Sequence, residues 1–367
     1  MTAPRKAPAA KRPERSKAIP VKAPGFVPPY SPSWFDRLTV WVDRLPGPAW
    51  AFYLGLALAI YLLETLVQWQ SGTTPFGSFV PTHTAMAISA ISLGLGHYLK
   101  GYAGRAFDAY RPSLLAGADE VALIRYRFTV MTRRGALLAT LFGMAFGLAG
   151  TLLTGVTYMR ILRLATSPLS FATNALLGLA TWAAFFTVLH MILRQLRIVS
   201  WLFSTRTRVD LFALEPLYAL TGLTARAAVS FLVVPALFVI LAPAIRDEPA
   251  SLWIALAGSL IAIATFLFPL AGIHRLLVAE KTRRLAEQSR RMLSAIEDLH
   301  GRMDQGRLRQ MDDLYKAIAS LDLERTTLNK IPTWPWEPGS IRGVAAALLL
   351  PVGIWLIQAM LEKALGG

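Results

Sequence analysis

Residues 49–69 read AWAFYLGLALAIYLLETLVQW, and this stretch decides the fold class. A helix of about 20 apolar residues is long enough to cross about 30 Å of hydrocarbon. Glu64 is the single acidic or basic side chain in the stretch. The sequence therefore predicts a transmembrane helix here, with one carboxyl group inside it that calls for an explanation.

Six further stretches have the same apolar character. The predicted spans are Ala49–Trp69, Phe76–Leu99, Gly135–Met159, Phe171–Leu193, Ala228–Ile245, Leu252–Ile273 and Gly343–Leu361. The fifth is short and the second is rich in Ser and Thr. Of the 367 residues 54% are hydrophobic and 16% charged, whereas a soluble domain averages about 25% charged residues. We expect an all-α membrane protein with about seven transmembrane helices.

The distribution of Lys and Arg between the spans predicts the orientation. The loop at residues 70–75 has no charge, whereas Lys100–Arg134 and Arg194–Arg226 are rich in arginine, as is the chain after Ile273. Because cytoplasmic loops collect Lys and Arg, we expect a multi-pass protein of the inner (plasma) membrane, with a cytoplasmic N-terminus and the C-terminus outside. Arg160 and Arg163, in a loop predicted to lie outside, argue the other way.

Two segments precede the first span. Residues 1–33 are basic and Pro-rich and contain no apolar run, which predicts a disordered tail held near anionic lipid headgroups or simply solvated. Residues 34–47 follow, with apolar side chains at helical spacing. They predict an amphipathic helix that lies at the membrane interface, with Trp34 and Trp41 as anchors and Asp36 on the polar side.

Residues 48–273 form the predicted six-span domain, which includes a cytoplasmic amphipathic stretch at Val209–Leu223. Residues 274–330 are the one sizeable polar body, and apolar side chains recur there at spacings of three and four. The predicted seam of this coiled-coil hairpin is Leu285, Met292, Ile296, Leu299, Met311, Leu314, Ile318 and Leu321, with Ser289 and Arg325 as irregular members. The turn falls at Gly306. The seam could close on itself or on a neighbouring subunit.

Residues 331–342 contain the string IPTWPWEPG, whose prolines exclude a continuous helix. We expect a rigid segment that returns the chain to the bilayer, with Trp334 and Trp336 at the level of the headgroups. Residues 343–367 then hold the last transmembrane helix and the C-terminus.

Four strings among the spans carry a resemblance. These strings are FDRLTVWVDRLPGPAW, LIRYRFTVMTRRGALLA, DLFALEPLYALTGLTARAAV and IPTWPWEPGSIRG. In this order they resemble a group of uncharacterised bacterial polytopic integral membrane proteins with a cytoplasmic helical hairpin and an IPTWPW-type segment before the last span. The resemblance implies the architecture and carries no activity and no functional residues.

The first two predicted spans carry a candidate polar site. Glu64 and His83 lie at similar depth in neighbouring antiparallel spans, and Thr82 and Thr84 flank the histidine. Such a pair could bind a proton or a cation, or it could be a structural hydrogen bond.

The remaining histidines are weaker indications of a site. His83 and His97 share a helical face, but no second helix offers the matching pair that two haems would need. His97, His190 and His274 fall at a similar membrane level, which is compatible with a cluster or with three unrelated side chains.

No stretch has a catalytic signature. The chain has no cysteine, no Gly-rich phosphate loop, no HExxH and no nucleophile elbow. We therefore predict a non-enzymatic protein without a metal, a cofactor or a nucleic-acid partner, whose partners are the lipid bilayer and either a second copy or a cytoplasmic protein bound through the hairpin. A transporter or channel that uses Glu64 and His83 is the alternative, and a membrane enzyme acting on lipid ranks third.

Overall fold

A computed structural model describes residues 26–79, 87–161, 167–241, 249–306 and 311–334. These residues form helices and contain no β-strand, which confirms the all-α class. The helices are α1 Trp34–Val42, α2 Ala49–Gln70, α3 Ile88–Tyr110, α4 Ala118–Thr129, α5 Arg133–Ile161, α6 Pro168–Thr205, α7 Glu215–Leu241, α8 Pro249–Asp304 and α9 Met311–Lys330.

Helix α1 begins with a capping box and packs against the other helices of the bundle. Ser33 Oγ accepts a hydrogen bond from the backbone N–H of Asp36, and the Asp36 side chain returns to the backbone N–H of Ser33. Phe35 and Asp36 are buried on the face that packs against the bundle. The polar face predicted for an interfacial helix is therefore partly internal, because α1 covers the core of the protein.

The Asp36 carboxylate joins three parts of the chain. Its Oδ2 accepts hydrogen bonds from Ser33 Oγ at 2.7 Å and from the backbone N–H of Met131 at 2.9 Å. Lys100 Nζ of α3 lies 2.7 Å from its Oδ1 and donates to Thr39 Oγ1 at 2.8 Å. Since both charged side chains are largely buried, this ion pair fixes α1 against α3 and against the start of α5.

The predicted second span, Phe76–Leu99, has different bounds in the structure. Phe76–Phe79 are not helical, and α3 runs from Ile88 to Tyr110, well past Leu99. Pro75 precedes this loop and Gly77 has a φ of 84°, a backbone conformation that suits a turn rather than a helix. The second half of α3 buries one face, whereas Arg105 and Asp108 are exposed on the other, so hydropathy does not mark it.

Three helices continue beyond their predicted spans. α6 has 38 residues and extends to Thr205. α7 begins at Glu215, so only the part of the predicted amphipathic stretch Val209–Leu223 from Glu215 onward is helical, and it continues into the fifth predicted span. α8 has 56 residues, or about 84 Å at ~1.5 Å per residue, and it joins the sixth predicted span to the hairpin.

The bundle has a densely packed end and an end with exposed apolar side chains. The core lies around the C-terminal half of α3, with Leu99, Phe107 and Tyr110 completely buried, and it includes the C-terminal half of α6 and the first turns of α7. Burial raises the pKa of Tyr110 to about 12. On α2, by contrast, leucines spaced four residues apart are exposed along the whole helix: Leu54, Leu58, Leu62 and Leu66. Such a stripe is typical of a surface that faces lipid.

Among the described residues, three helices are long and apolar enough to cross a membrane: Ala49–Gln70, Pro168–Thr205 and Glu215–Val233. This finding is compatible with a membrane protein and falls short of the predicted seven spans. The seventh predicted span, Gly343–Leu361, lies outside the described residues, as do residues 1–25 of the predicted tail. The tail's last residues are packed, since the Tyr30 hydroxyl donates to the Val130 carbonyl at 2.8 Å.

Replacing Asp36 with Asn should strongly destabilise the protein, because Lys100 then keeps a buried charge without its partner. We expect a loss of about 3–5 kcal/mol in the free energy of unfolding, measured by SDS titration of the detergent-solubilised chain with tryptophan fluorescence. Asp108→Asn is the control, because its bidentate pair with Arg125 is exposed and should change the free energy by at most about 1 kcal/mol. Equal losses in the two variants would contradict the role of Asp36.

Candidate functional site

A polar stripe lies on the side of α2 that faces the bundle. Glu64, Thr65 and Gln68 are at most 1% exposed, although they belong to a helix with exposed leucines on its other side. Spacings of one and four residues place the three side chains on one helical face. Near the start of α6, Ser170 and Asn174 are also buried, and α2 packs against α6.

The Glu64 carboxylate has fewer donors than acceptor positions. Gln68 Nε2 donates to Glu64 Oε1 at 2.7 Å, and the Asn174 side chain lies within reach of the carboxylate. No described residue donates a hydrogen bond to Glu64 Oε2 or to Gln68 Oε1, and no described Lys, Arg or His forms an ion pair with Glu64. The site is thus rich in unmatched oxygen acceptors.

Unmatched acceptors in a buried site define what it could bind. A carboxylate without a counter-charge is costly in an apolar environment, so the stable forms are a protonated acid or a carboxylate beside a cation. Glu64 Oε2 and Gln68 Oε1 would both accept from a hydrogen-bond donor or coordinate a cation. The arrangement therefore suits a proton or a small cation.

His83, Thr82 and Thr84 lie outside the described residues, so their pairing with Glu64 stays a prediction. The structure adds Gln68 and Asn174 to the site. Asn174 was missed in the sequence, although a single amide side chain inside an apolar span is the kind of signal that could have identified it.

His97 belongs to a chain of hydrogen bonds that joins three helices. Its Nε2 lies 3.1 Å from Asp43 Oδ1, which follows α1, and its Nδ1 lies 3.1 Å from the Tyr53 hydroxyl of α2. The Tyr53 ring meets the imidazole edge to face. Since Asp43 is exposed and Tyr53 is buried, the chain runs from the surface into the bundle.

The other two histidines that were considered together with His97 have separate surroundings. A Cβ added to Gly135 would lie 2.8 Å from His190 Nε2, which shows how closely α5 and α6 approach there. The His274 ring stacks on Trp334 with centroids 4.0 Å apart. Within the described ranges, no group of three or more His, Cys, Asp or Glu side chains could hold a metal ion.

The hairpin closes on itself along α8 and α9. The predicted seam residues are half-buried between the two helices: Leu285, Met292, Ile296, Leu299, Met311, Leu314, Ile318 and Leu321. Ser289 is exposed, and the buried position beside it is Gln288, whose Nε2 donates to the Leu321 carbonyl at 2.8 Å. The seam therefore differs from the predicted one at this position, where Gln288 takes the place of Ser289.

At the end of the hairpin nearest the bundle, α8 is hydrogen-bonded to the C-terminus of α9. Lys281 Nζ donates to the carbonyls of Asn329 and Ile331, both at 2.8 Å, and so satisfies backbone acceptors at the helix C-terminus. Leu328 is buried in the main core. The His274 ring also stacks on Trp334. These contacts hold α8 and α9 together where the hairpin meets the bundle.

The predicted tryptophan anchors have different positions. Trp34 packs against the core and its Nε1 donates to Thr140 Oγ1 at 2.9 Å. Trp41 is 50% exposed, as an interfacial anchor would be. Trp334 is partly buried against His274, and Trp336 lies outside the described residues.

Comparison of the chain with protein-family models, with curated protein sequences and with solved structures finds no match. The resemblance to bacterial polytopic membrane proteins therefore stays a prediction.

Proposed function

We propose that the chain is a polytopic protein of the bacterial inner membrane, with about seven spans and a cytoplasmic N-terminus, and that it acts as a non-enzymatic scaffold or sensor-like protein through its hairpin. The exposed leucine stripe of α2 supports the membrane location. The arginine-rich segments around the packed end of the bundle support the orientation.

The continuity of α8 is the observation that carries the role of the hairpin. One helix runs from the sixth predicted span to the turn at Gly306, and the limb from His274 to Asp304 extends about 45 Å at ~1.5 Å per residue. A displacement of α8 in the membrane would move the tip of the hairpin with it. This coupling suits a protein that presents a docking surface or passes on a change from the membrane.

The tip of the hairpin offers an apolar groove of about 590 Å³, which is lined by Leu299, Met303, Met311, Asp312, Tyr315 and Ile318. Met303 and Tyr315 are 53% and 71% exposed. Methionine adapts its shape and is common at surfaces that bind apolar helices. We propose that the groove receives an apolar helix face, from a cytoplasmic partner or from a second copy of the chain.

Leu293 extends the apolar surface on the same side of the hairpin. It follows the seam residue Met292 by one position, as Tyr315 follows Leu314. In antiparallel helices, positions one residue after the seam turn to the same side. Leu293 is exposed, so it and Tyr315 mark one side of the proposed docking surface.

The double variant Leu293→Glu and Tyr315→Glu should abolish docking while leaving the hairpin folded, because both side chains are exposed. Docking is measured by in vivo photocrosslinking from the hairpin tip, with crosslinks to partners and to a second copy resolved by mass spectrometry. Far-UV circular dichroism checks that helicity is unchanged.

Leu323→Glu is the matched control, since Leu323 is 69% exposed on α9 but faces away from α8. It should leave the crosslinks intact. Crosslinks that persist in the double variant, or that disappear equally in the control, would contradict docking at this groove.

The Glu64 site supports a second candidate function, a proton- or cation-coupled transporter or channel. The buried, unmatched oxygens of Glu64 and Gln68 favour it. Transport through this site would require a route to it from both sides of the membrane.

Glu64→Gln should abolish proton or cation uptake in this case, because the amide can no longer release a proton or offer a charge. Uptake is measured in proteoliposomes with an internal pH or cation dye under an imposed membrane potential. Glu215→Gln, at the exposed start of α7, is the control for loss of a carboxylate. Identical uptake in the wild type and in Glu64→Gln would rule out this function.

A further inference from the structure

Arg226 is a charged side chain in an apolar part of α7. Its neighbours Ala225, Ala227 and Ala228 are buried, and the residue lies inside the candidate span Glu215–Val233. Arginine in such a helix is expected to have a partner that offsets its charge. The partners that the structure provides are tyrosines of α3.

The guanidinium group of Arg226 is held in one orientation. Its Nε donates to the Tyr98 hydroxyl at 3.1 Å, and its Nη1 donates to the Tyr102 hydroxyl at 3.0 Å and to the Gly222 carbonyl at 3.1 Å. The guanidinium carbon lies 4.1 Å from the centroid of the Tyr102 ring. These contacts orient the group and leave both N–H donors of Nη2 without a partner among the described residues.

A second arginine approaches the same ring. The guanidinium carbon of Arg105 lies 5.7 Å from the Tyr102 centroid, and the Arg105 side chain is exposed. No described carboxylate forms an ion pair with Arg105 or Arg226. An anion that lies near both guanidinium groups would be attracted by each of them.

Glycine at position 222 makes the arrangement possible. A Cβ at Gly222 would lie 2.7 Å from the Tyr102 hydroxyl oxygen and 3.1 Å from Arg226 Nη1. Any larger residue would displace the groups that orient the guanidinium. The absence of a side chain thus lets α7 approach the tyrosines of α3.

Three other arginines have partners among the described residues. Arg194 donates to the carbonyls of Arg127 and Val130 near the end of α4 and to the Tyr30 hydroxyl. Arg283 and Arg284 form ion pairs with Glu280, and the hydrogen bond from Arg283 is the main cause that lowers the pKa of the Glu280 carboxyl. By comparison, Arg226 and Arg105 could pair with an anion that no described residue supplies.

We propose that Arg226 and Arg105 bind the phosphate of an anionic phospholipid headgroup over the Tyr102 ring. Tyr98 is 49% exposed, so the site opens at the outer surface of the groove between α3 and α7. Along α3 it lies at the level of Lys100, where the predicted second span ends on the cytoplasmic side. Guanidinium groups match phosphate oxygens in geometry and charge, and two positive groups disfavour the choline of a zwitterionic lipid.

The test uses the full chain in detergent, so its outcome does not depend on the proposed hairpin function. Short-chain phosphatidylglycerol should raise the thermal unfolding midpoint of the wild type, and native mass spectrometry should detect one retained lipid. Phosphatidylcholine should do neither. Arg226→Gln should raise the lipid concentration that gives half of the maximal stabilisation, on the order of tenfold, because it removes charge-assisted hydrogen bonds.

Arg105→Gln and Tyr98→Phe keep the test decisive if Arg226→Gln does not fold. Arg105 is exposed, and Tyr98→Phe removes only the hydroxyl that orients the guanidinium, so each should fold and bind the lipid more weakly than the wild type. Arg283→Gln is the control for loss of one exposed positive charge and should respond as the wild type does.

Two results would overturn the proposal. An equal response to phosphatidylglycerol in the wild type, Arg105→Gln and Tyr98→Phe would show that the lipid acts elsewhere. An equal effect of inorganic phosphate at matched ionic strength would show that the site binds a free anion and not a headgroup.

Discussion

Helix α8 joins an apolar part and a charged part within one helix of 56 residues. Its first part is apolar, its second part carries the charged hairpin limb, and Pro269 lies between them. A helix satisfies most of its backbone polar groups internally, so α8 continues from one part into the other, although Pro269 has no N–H to donate. The other long helices, α6 and α7, contain candidate spans and also contribute to the packed core.

The charged side chains inside the bundle differ in how their charge or hydrogen-bonding groups are satisfied. Asp36 and Lys100 neutralise each other at the junction of α1, α3 and α5. Arg194 is matched by backbone carbonyls. Glu64 and Arg226 differ from these, since the described residues leave the first with unmatched acceptors and the second with unmatched donors. These two positions lie on different helices, α2 and α7, and each suits a bound ion of opposite sign to its own.

Much of the helical architecture could be predicted from hydropathy, and the helix ends could not. Hydropathy marks the part of a helix that faces lipid, whereas hydrogen bonding continues α6, α7 and α8 beyond it. The second half of α3 was missed because its exposed face carries charged residues such as Arg105 and Asp108, which lower its hydropathy. Ser289 was included in the predicted seam because a strict alternation of four and three residues leads to it, whereas the structure buries Gln288 there.

The candidate sites were predictable only in part, for a related reason. Glu64 is conspicuous as a lone acid in an apolar run, but its partners Gln68 and Asn174 become visible only when α2 packs on α6. Arg226 was counted with the cytoplasmic arginines because position along the chain does not reveal which tyrosines of α3 it meets. Three-dimensional neighbours, rather than residue types, separate a binding site from a solvated charge.

The central claim is that the hairpin and the Glu64 end of α2 lie on opposite sides of a membrane. The chain has no cysteine, so single cysteines at Phe76, in the loop after α2, and at Ser320, on the hairpin, report accessibility without background. In intact cells a membrane-impermeant maleimide should label Phe76→Cys, and it should label Ser320→Cys only after the membrane is permeabilised. Labelling of both positions in intact cells, or of Ser320→Cys alone, would contradict the account.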